Sequence, residues 1–535
     1  MLFRSDQAIL TGEFVITPLE GWDITANYTF DGAYIDKSDH VKTLYVTNPS
    51  GATSLYSGTS PNSFSRTNNK NQHHVINFFS SYEKKFKDHY FKAMVGYTQE
   101  LYDNLEQYSG NSYLYSDDIP SLSLTYGTSP SISDKASQLA IRGGFGRINY
   151  NYKEKYLLEL NGRYDGTSRF LKDVRYKFYP GVSAAWVLSK ENFWIPIETY
   201  VNTFKFRVSY GSLGDQGFTD SYYPFYPSMS TTAPTKSNWL FSDGRHAYFS
   251  YPGLINPNLT WVTTTTIDFG VDMTFLDHWN LSADYWFRKS YDILDNRQAT
   301  LPTTFSRDMP AENYGKMNAQ GIDLQLGYKG ASHDFNYYGN LTLSYGWNEI
   351  KYKDYAENAQ WIDIPIGTST SRWVAYDFDR IIRTQEELDA FNAEHPNYSF
   401  KGMKPELGML VYKDHSGPDG TPDGVVDSWD RVVLRDKNFP VQYGLNLGGS
   451  WKGLSLDMMF SGELGRDRSF RDLAGNVEWN RVWAEWYDNS WTPENPNAML
   501  PKQVSANAPR TYKDDDCQFW LKKTNFMRLK YLTLS

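Results

Sequence analysis

The fold class is decided by one stretch of the sequence, which reads TIDFGVDMTF (266–275), LDH (276–278) and WNLSADYWFR (279–288). In both arms apolar side chains alternate with polar ones, which is the period of a β-strand that has one apolar face. The three residues between the arms predict a tight turn. Arms of about ten residues have the length needed to cross a bilayer as tilted strands. The stretch therefore predicts an amphipathic, membrane-spanning hairpin.

The same pattern recurs along the chain in about fifteen strand-like runs. Short turns join the runs in pairs, such as 75–82 with 90–97 and 146–152 with 156–164, and a long polar connection follows each pair. Connections are sorted in this way when all short turns lie on one side of a membrane and all long loops on the other. We therefore predict an all-β chain that forms part of a transmembrane antiparallel β-barrel.

Composition excludes several classes of protein. The 535 residues include 53 Lys and Arg against 62 Asp and Glu, a net charge of −9, so the chain lacks the basic face that nucleic acid requires. No apolar run approaches the roughly 20 residues of a membrane helix. Cys517 is the only cysteine, which excludes an intramolecular disulfide. Aromatic residues make up 17% of the chain although its mean hydropathy is −0.59, a combination that suits barrel strands showing lipid only every second side chain.

One loop has the spacing of a calcium site. Residues 419–430 read DGTPDGVVDSWD, and oxygen donors stand at the 1, 3, 5, 7, 9 and 12 positions of an EF-hand-type loop. The candidate ligands are Asp419, Thr421, Asp423, the carbonyl of Val425, Asp427 and Asp430, with Asp414 as an alternative to Asp419. Thr421 is a poorer ligand than the usual Asn or Asp at its position, and Asp430 is shorter than the usual bidentate Glu. A solvated Asp-Gly turn is the alternative interpretation, and any Ca²⁺ would brace the loop.

The sequence offers no catalytic site and no defensible list of substrate contacts. Three adjacent carboxylates at 514–516 are typical of a solvated loop, and no nucleophile is paired with a base. Loop aromatics could stack on sugar rings, line a peptide cavity, or only pack the loops together. They are Trp239, Phe241, Tyr248, Trp361, Trp373, Trp479, Trp483 and Trp486.

The longest connection, residues 348–440, is predicted to be an extracellular insertion within the barrel. It is predicted to contain one helix, because Thr384-Gln385-Glu386-Glu387 has the form of a capping box.

Several stretches resemble the SusC-like (RagA-like) TonB-dependent outer-membrane receptors, and they occur in that family's order over nearly the whole chain. They are RYDGTSRF (163–170), FYPGVSAAW (178–186), FRVSYG (206–211), NPNLTW (256–261), NYG (313–315), GID (321–323), WTPENP (491–496) and MRLKYLTL (527–534). The resemblance implies a 22-stranded barrel in the outer membrane, with its outward face in lipid. It also implies an internal plug, a SusD-like surface lipoprotein as partner, and energy supplied by TonB.

By resemblance, the expected role is active import of an oligosaccharide or a peptide, and not enzymatic catalysis. A signal peptide, TonB box, plug and last strands are not found, so residues 1–535 are interpreted as an interior piece of the barrel domain. Two alternatives stay open from the residues alone: a secreted β-rich glycan-binding protein or glycoside hydrolase, and a passive porin-like barrel. The sequence does not specify the substrate.

Overall fold

The computed structural model describes residues 2–48, 50–217, 221–232, 240–298, 309–471, 484–503 and 517–535. Within these ranges one sheet contains 15 strands, and each strand is hydrogen-bonded to the next one along the chain. The predicted all-β chain with about fifteen sheet strands is confirmed. The strands are β1 (Leu2–Leu19), β2 (Trp22–Val41), β3 (Ser63–Phe86), β4 (His89–Ser112), β5 (Ser131–Tyr152), β6 (Tyr156–Thr167), β7 (Tyr176–Val187), β8 (Val201–Asp215), β9 (Val262–Phe275), β10 (Trp279–Asp295), β11 (Glu312–Ser332), β12 (Phe335–Tyr352), β13 (Val441–Trp451), β14 (Leu454–Leu464) and β15 (Phe526–Leu534).

The hairpin of β9 and β10 turns where the sequence predicts. Leu276 and Asp277 adopt positive φ angles of 52° and 60°, which reverse the chain within three residues. The turn is held by a reciprocal pair of hydrogen bonds. The Asp277 backbone N–H donates to Asn202 Oδ1 over 3.0 Å, and Asn202 Nδ2 donates to Asp277 Oδ1 over 2.6 Å.

Several strands extend well beyond their apolar pattern. The sequence predicts a polar connection up to about residue 73 and another from about 98 to 135, but β3 and β4 each have 24 residues and pair from Ser63 with Ser112 to Phe86 with His89. The prediction of loops over 63–72 and 98–112 is therefore wrong. Ladder hydrogen bonds form between backbone groups, so pairing continues where side chains no longer alternate in polarity.

Chain contacts divide the structure into two units. The first comprises 1–186, 209–265 and 303–313, and the second comprises 187–208, 266–302 and 314–535. In the first unit an aromatic row crosses five strands at their short-turn ends. The register aligns Phe86 with His89, His89 with Tyr152, Tyr152 with Tyr156, and Tyr156 with Trp186. Successive ring centroids are 5.5, 4.8, 6.4 and 6.3 Å apart. Such a row is typical of a membrane interface.

A polar row lies ten residues away on the same face of these strands. Gln99 pairs with Arg142, and Arg142 Nε donates to the Tyr176 hydroxyl over 2.5 Å, while Ile76, which pairs with Gln99, is the apolar exception in this row. Ten residues of tilted strand span about 25 Å of bilayer. The face between the aromatic row and the polar row therefore has the height of a membrane's apolar layer.

In the second unit, the connection between β12 and β13 folds into small paired strands around a core of its own. The predicted helix is present as α1 (Gln385–Glu394), and its N-cap Thr384 accepts a hydrogen bond from the Glu387 N–H over 3.3 Å. A short helix, α2 (Ala484–Asn489), follows β14. No described helix is both long and apolar enough to span a membrane. The paired strands are Trp373–Tyr376 with Arg431–Arg435, Phe378–Ile381 with Leu410–Tyr412, and Ser399–Phe400 with Val425–Val426.

Other short strands form separate two-stranded sheets. They are Tyr45–Thr47 with Thr53–Leu55, Thr231–Thr232 with Tyr248–Phe249, and Asp467–Ser469 with Leu521–Lys523.

Candidate functional site

The polar face of the hairpin carries a charged network in the second unit. Arg207 of β8 lies between two carboxylates, with Nε 2.8 Å from Asp272 Oδ2 and Nη2 2.9 Å from Asp284 Oδ1. Ser282 Oγ donates to Asp272 Oδ1 over 2.9 Å. These charged side chains are half-buried, and a charge withdrawn from water is stabilised by partners of opposite charge. The network marks the inner face of these strands.

Gly270 provides the space for this network. A Cβ built at position 270 would lie 2.3 Å from Asp284 Oδ1 and 2.7 Å from Arg207 Cζ. Any larger residue would therefore push the guanidinium away from its carboxylates. Glycine in the interior of a strand is explained here by the close approach of a side chain.

A cavity of about 410 Å³ opens on the same face. Among its lining groups, Asp323 accepts a hydrogen bond from Trp286 Nε1 over 2.9 Å. The carboxylates, hydroxyls and amides can bind the polar groups of a solute, and they offer no reactive pairing of nucleophile and base. The polar side chains lining the cavity are Ser282, Asp284, Asp323, Gln325, Thr342, Ser344 and Gln442.

The long connection between β12 and β13 and the one after β14 form one folded module. Arg383 Nη1 donates to the carbonyl of Pro496 over 2.9 Å, and Trp491 Nε1 donates to the Arg383 carbonyl over 3.0 Å. Cys517 and Trp520 lie in the same buried cluster as the residues of the first connection. We call this unit of structure, 353–440 with the described parts of 465–525, the loop module. Its core is Tyr376, Ile381, Ile382, Phe391, Tyr398, Phe400, Met409, Leu410, Val411, Tyr412, Val426, Cys517 and Trp520.

The predicted calcium loop lies in this module, and its carboxylates bind nearby backbone groups. Asp419 Oδ1 accepts from the Thr421 N–H over 3.1 Å, and Asp423 Oδ1 accepts from the Val425 N–H over 2.8 Å. Asp427 Oδ1 accepts from Trp429 N–H over 2.8 Å. The repeated Asp at every fourth residue therefore forms successive Asx turns, a structure that the same spacing also allows.

Asp430 is the buried member of that loop. Its carboxylate accepts N–H groups of His415, Ser416 and Asp427 over 2.7, 3.0 and 2.8 Å, and burial raises its pKa above the ordinary value. Asp414 Oδ2 accepts the Gly424 N–H over 2.5 Å. Within the described ranges no group of three or more His, Cys, Asp or Glu side chains is arranged to hold a metal. Calcium binding at residues 419–430 stays a prediction.

The loop aromatics are distributed unevenly. Trp361 is 67% exposed, and Trp429 is also exposed. The residues that precede them are hydrogen-bonded to each other, from Gln360 Nε2 to Ser428 Oγ over 3.2 Å. Sequence reasoning missed Trp429 and the Arg207 network, although inward Asp residues at 268, 272 and 284 were a signal for the latter. Phe241 and Tyr248 are exposed and Trp373 is half-buried. Trp239, Trp479, Trp483, the side chain of Trp486 and residues 514–516 lie outside the described part of the chain.

Four of the sequence stretches singled out above meet around Thr260 and Trp261 in the first unit. Trp261 is buried, and its Nε1 donates to the Arg175 carbonyl over 2.8 Å. Its ring packs edge-on against Phe170 and Tyr179, at centroid distances of 5.7 and 5.9 Å. Neighbouring Thr260 accepts a hydrogen bond at its carbonyl from Asn313 Nδ2 over 3.0 Å. These stretches have a structural role in joining distant loops.

Comparison with known proteins identifies the fold. Residues 4–381 match the family described as TonB dependent receptor-like, beta-barrel. TonB-dependent receptor P26 of Formosa agariphila is 30% identical over 419 residues, which are 74% of this chain and 39% of that protein. TonB-dependent receptor SusC of Bacteroides thetaiotaomicron is 26% identical over 321 residues, 59% of this chain and 30% of SusC.

Among solved structures, the RagAB peptide importer in its open-open state superposes with a TM-score of 0.75 at 20% identity, covering 99% of this chain and 54% of that chain. The chain thus spans about four tenths or less of the length of the two curated relatives described above. The family match covers more than half of the chain. The chain therefore belongs to the TonB-dependent receptor-like β-barrel family, whose members are transporters of the outer membrane and not enzymes.

Proposed function

We propose that the full-length protein imports a polymer-derived nutrient, an oligosaccharide or a peptide, across the outer membrane at the expense of energy delivered by TonB. Membership of the family over residues 4–381 is the observation that carries the proposal. The inner polar face supports it, because Arg207, Asp272 and Asp284 and the cavity of about 410 Å³ can exchange hydrogen bonds with a hydrated solute. A secreted enzyme would not need apolar residues on the outside of its sheet.

The proposed partner is a SusD-like surface lipoprotein. Two similarities support this pairing: the relative SusC, and a solved neighbour described as the RagAB peptide importer. We propose that the loop module faces the outside of the cell and presents exposed groups such as Trp361 and Trp429 to the partner or the solute. Long loops lie on that side in barrels whose short turns face the periplasm.

The test is uptake by a strain that lacks the full-length gene. Oligosaccharides and peptides carrying a fluorescent label are supplied separately, and we expect loss of uptake of one class only. Deletion of the TonB protein should abolish the same uptake, whereas a passive porin would continue to take up the probe. Unchanged uptake of both classes in the gene deletion would contradict the proposal.

A matched pair of variants tests the inner face. Asp284→Asn together with Asp323→Asn removes two carboxylates that line the cavity, and Asp243→Asn with Asp334→Asn removes two exposed carboxylates elsewhere. The first pair should slow uptake while leaving the amount of protein in the membrane unchanged. Equal uptake by both pairs would exclude this face from the path of the solute.

A further inference from the structure

An excess of lysine surrounds the aromatic row at two adjacent short turns of the first unit. The end of β3, the β3–β4 turn and the start of β4 contain Lys84, Lys85, Lys87 and Lys92, and the β5–β6 turn adds Lys153 and Lys155. On the same segments Glu83, Asp88 and Glu154 oppose them, and Asp23 of the neighbouring β2 also attracts Lys92. The two turns touch, because the Lys153 N–H donates to the Asp88 carbonyl over 2.8 Å. They form one basic patch.

The pairing of these charges leaves part of the patch uncompensated. Lys92 binds Glu83 over 3.0 Å, and Lys153 lies 3.5 Å from Asp88. Within the described ranges Lys84, Lys85 and Lys87 make no ion pair, and all three are exposed. Their charges therefore remain available to an anion from outside the chain.

The aromatic row fixes the depth of the patch relative to the membrane. Phe86 and Tyr152 belong to the row, and Lys87 and Lys153 follow them directly at the turn. Lys153 Nζ also lies 5.4 Å from the centre of the Tyr152 ring. Aromatic rings at this position sit at the level of lipid headgroups, so the lysine amines lie among headgroup phosphates.

An apolar groove lies on the same face of the strands, nearer the middle of the membrane. Its floor is a row of small residues, in which Val95 pairs with Gly146, Gly146 with Gly162, and Gly162 with Pro180. The groove has a volume of about 540 Å³. Its apolar walls include Ile148, Leu160 and the exposed ring of Phe178.

The distance between the groove and the aromatic row matches one lipid molecule. Val95 pairs with Ser80, and Ser80 lies six residues from Phe86 along β3, so the row and the groove are about 20 Å apart along the strand. That distance is comparable to an extended acyl chain. A headgroup among the lysines therefore places the end of an acyl chain at the groove.

We propose that the outer face of β3–β7 binds an anionic glycerophospholipid of the periplasmic leaflet. The headgroup phosphate lies on Lys84, Lys87 and Lys153, and one acyl chain fills the groove over Gly146, beside the Phe178 ring that covers Gly162. The periplasmic leaflet is assigned because the short turns of such barrels face the periplasm. This site is separate from the transport path, since it lies on the lipid-facing side of the sheet.

The test measures lipids retained by the full-length protein after purification in mild detergent and exchange with an equimolar mixture of phosphatidylglycerol and phosphatidylcholine. Native mass spectrometry counts the bound molecules of each lipid. We expect the wild type to retain phosphatidylglycerol preferentially. The variant Lys84→Gln/Lys87→Gln should reduce that retention about tenfold, since each lysine near a membrane surface contributes appreciably to anion binding.

The control Lys329→Gln/Lys452→Gln removes two charges near short turns of the second unit and should retain phosphatidylglycerol as the wild type does. Equal retention by test and control variants, or no preference of the wild type for phosphatidylglycerol, would overturn the proposal.

A second variant tests the groove without touching the charges. Gly146→Leu fits, because a Cβ at this position has no neighbour closer than 3.6 Å, at the Met94 carbonyl oxygen. It fills the groove with an apolar side chain that lipid tolerates, so folding should be unaffected. We expect retention of phosphatidylglycerol to fall about threefold. If Gly146→Leu has no effect and inorganic phosphate displaces the bound anion, the patch binds free phosphate and the lipid site is excluded.

Discussion

The hairpin of β9 and β10 and the loop module belong to the same unit, but they place their apolar side chains in opposite directions. In the hairpin Phe269 is 46% exposed, while Arg207 and Asp272 pair on the other face of these strands. In the loop module Ile382 and Tyr412 are almost completely buried, and most charged side chains lie outside, with Asp430 as a buried exception. The two regions therefore fold in different solvents. The sheet is stabilised by backbone pairing with lipid around it, whereas the loop module depends on the hydrophobic effect in water.

The largest effect is expected from a cavity in the loop module. Phe400 is buried against Tyr376 and Tyr412, at ring-centroid distances of 5.2 and 4.7 Å. Phe400→Ala should destabilise the module by about 3–5 kcal/mol. Hydrogen exchange should then increase across residues 373–435 and stay unchanged in β9 and β10. The control Trp361→Ala, at an exposed position, should leave exchange unaltered, and faster exchange throughout the sheet would contradict the separation of the two regions.

A charge introduced on each face of the sheet tests its orientation. Val271→Arg places a guanidinium on the apolar face of the hairpin and should weaken barrel assembly by about 2–4 kcal/mol, because the charge would enter lipid. Gln325→Arg introduces the same side chain beside the polar cavity and should assemble normally. The amount of folded protein in the membrane, measured by heat-modifiable electrophoresis, reports assembly. Equal tolerance of both substitutions would refute the assigned orientation.

A smaller effect is expected where the polar face is crowded. Gly270→Ala brings a methyl group against Asp284 and Arg207, and should cost about 1–3 kcal/mol through displaced side chains. Gly211→Ala, in β8, has no neighbouring atom within 4 Å of the new Cβ and serves as the control. Denaturant titration of both proteins gives the difference in free energy of unfolding. A difference below about 0.5 kcal/mol would show that the network adapts.

The smallest effect concerns the pH dependence of the loop module. Because burial raises the pKa of Asp430 in the folded state, that state binds its proton more tightly than the unfolded chain does. The contribution of Asp430 to stability therefore increases as the pH falls from neutrality through the folded pKa, and stays constant below the unfolded value near 3.8. Wild type should gain stability on acidification relative to Asp430→Asn, which does not titrate. The opposite slope in thermal unfolding would disprove this sign.

Much of the sheet could be predicted because a membrane strand has a strict period. All fifteen sheet strands contain a run that the alternation identifies, and the turn at Leu276 lies where the polarity pattern pauses. The polar extensions such as 63–72 of β3 could not be predicted, since outside the membrane neither side of a strand needs to be apolar. The calcium loop shows the same ambiguity, because Asp at regular spacing suits both metal ligation and Asx turns.

The sequence by itself determined the strands, their apolar face, the turn at residues 276–278 and the family, because each depends on side-chain order over short distances. Only the tertiary structure decided what distant residues do together. It placed Arg207 between Asp272 and Asp284, closed one hydrophobic core from two connections, and aligned five rings from Phe86 to Trp186. These groups are separated by tens of residues, and their contacts are set by strand register and packing, which local periodicity does not encode.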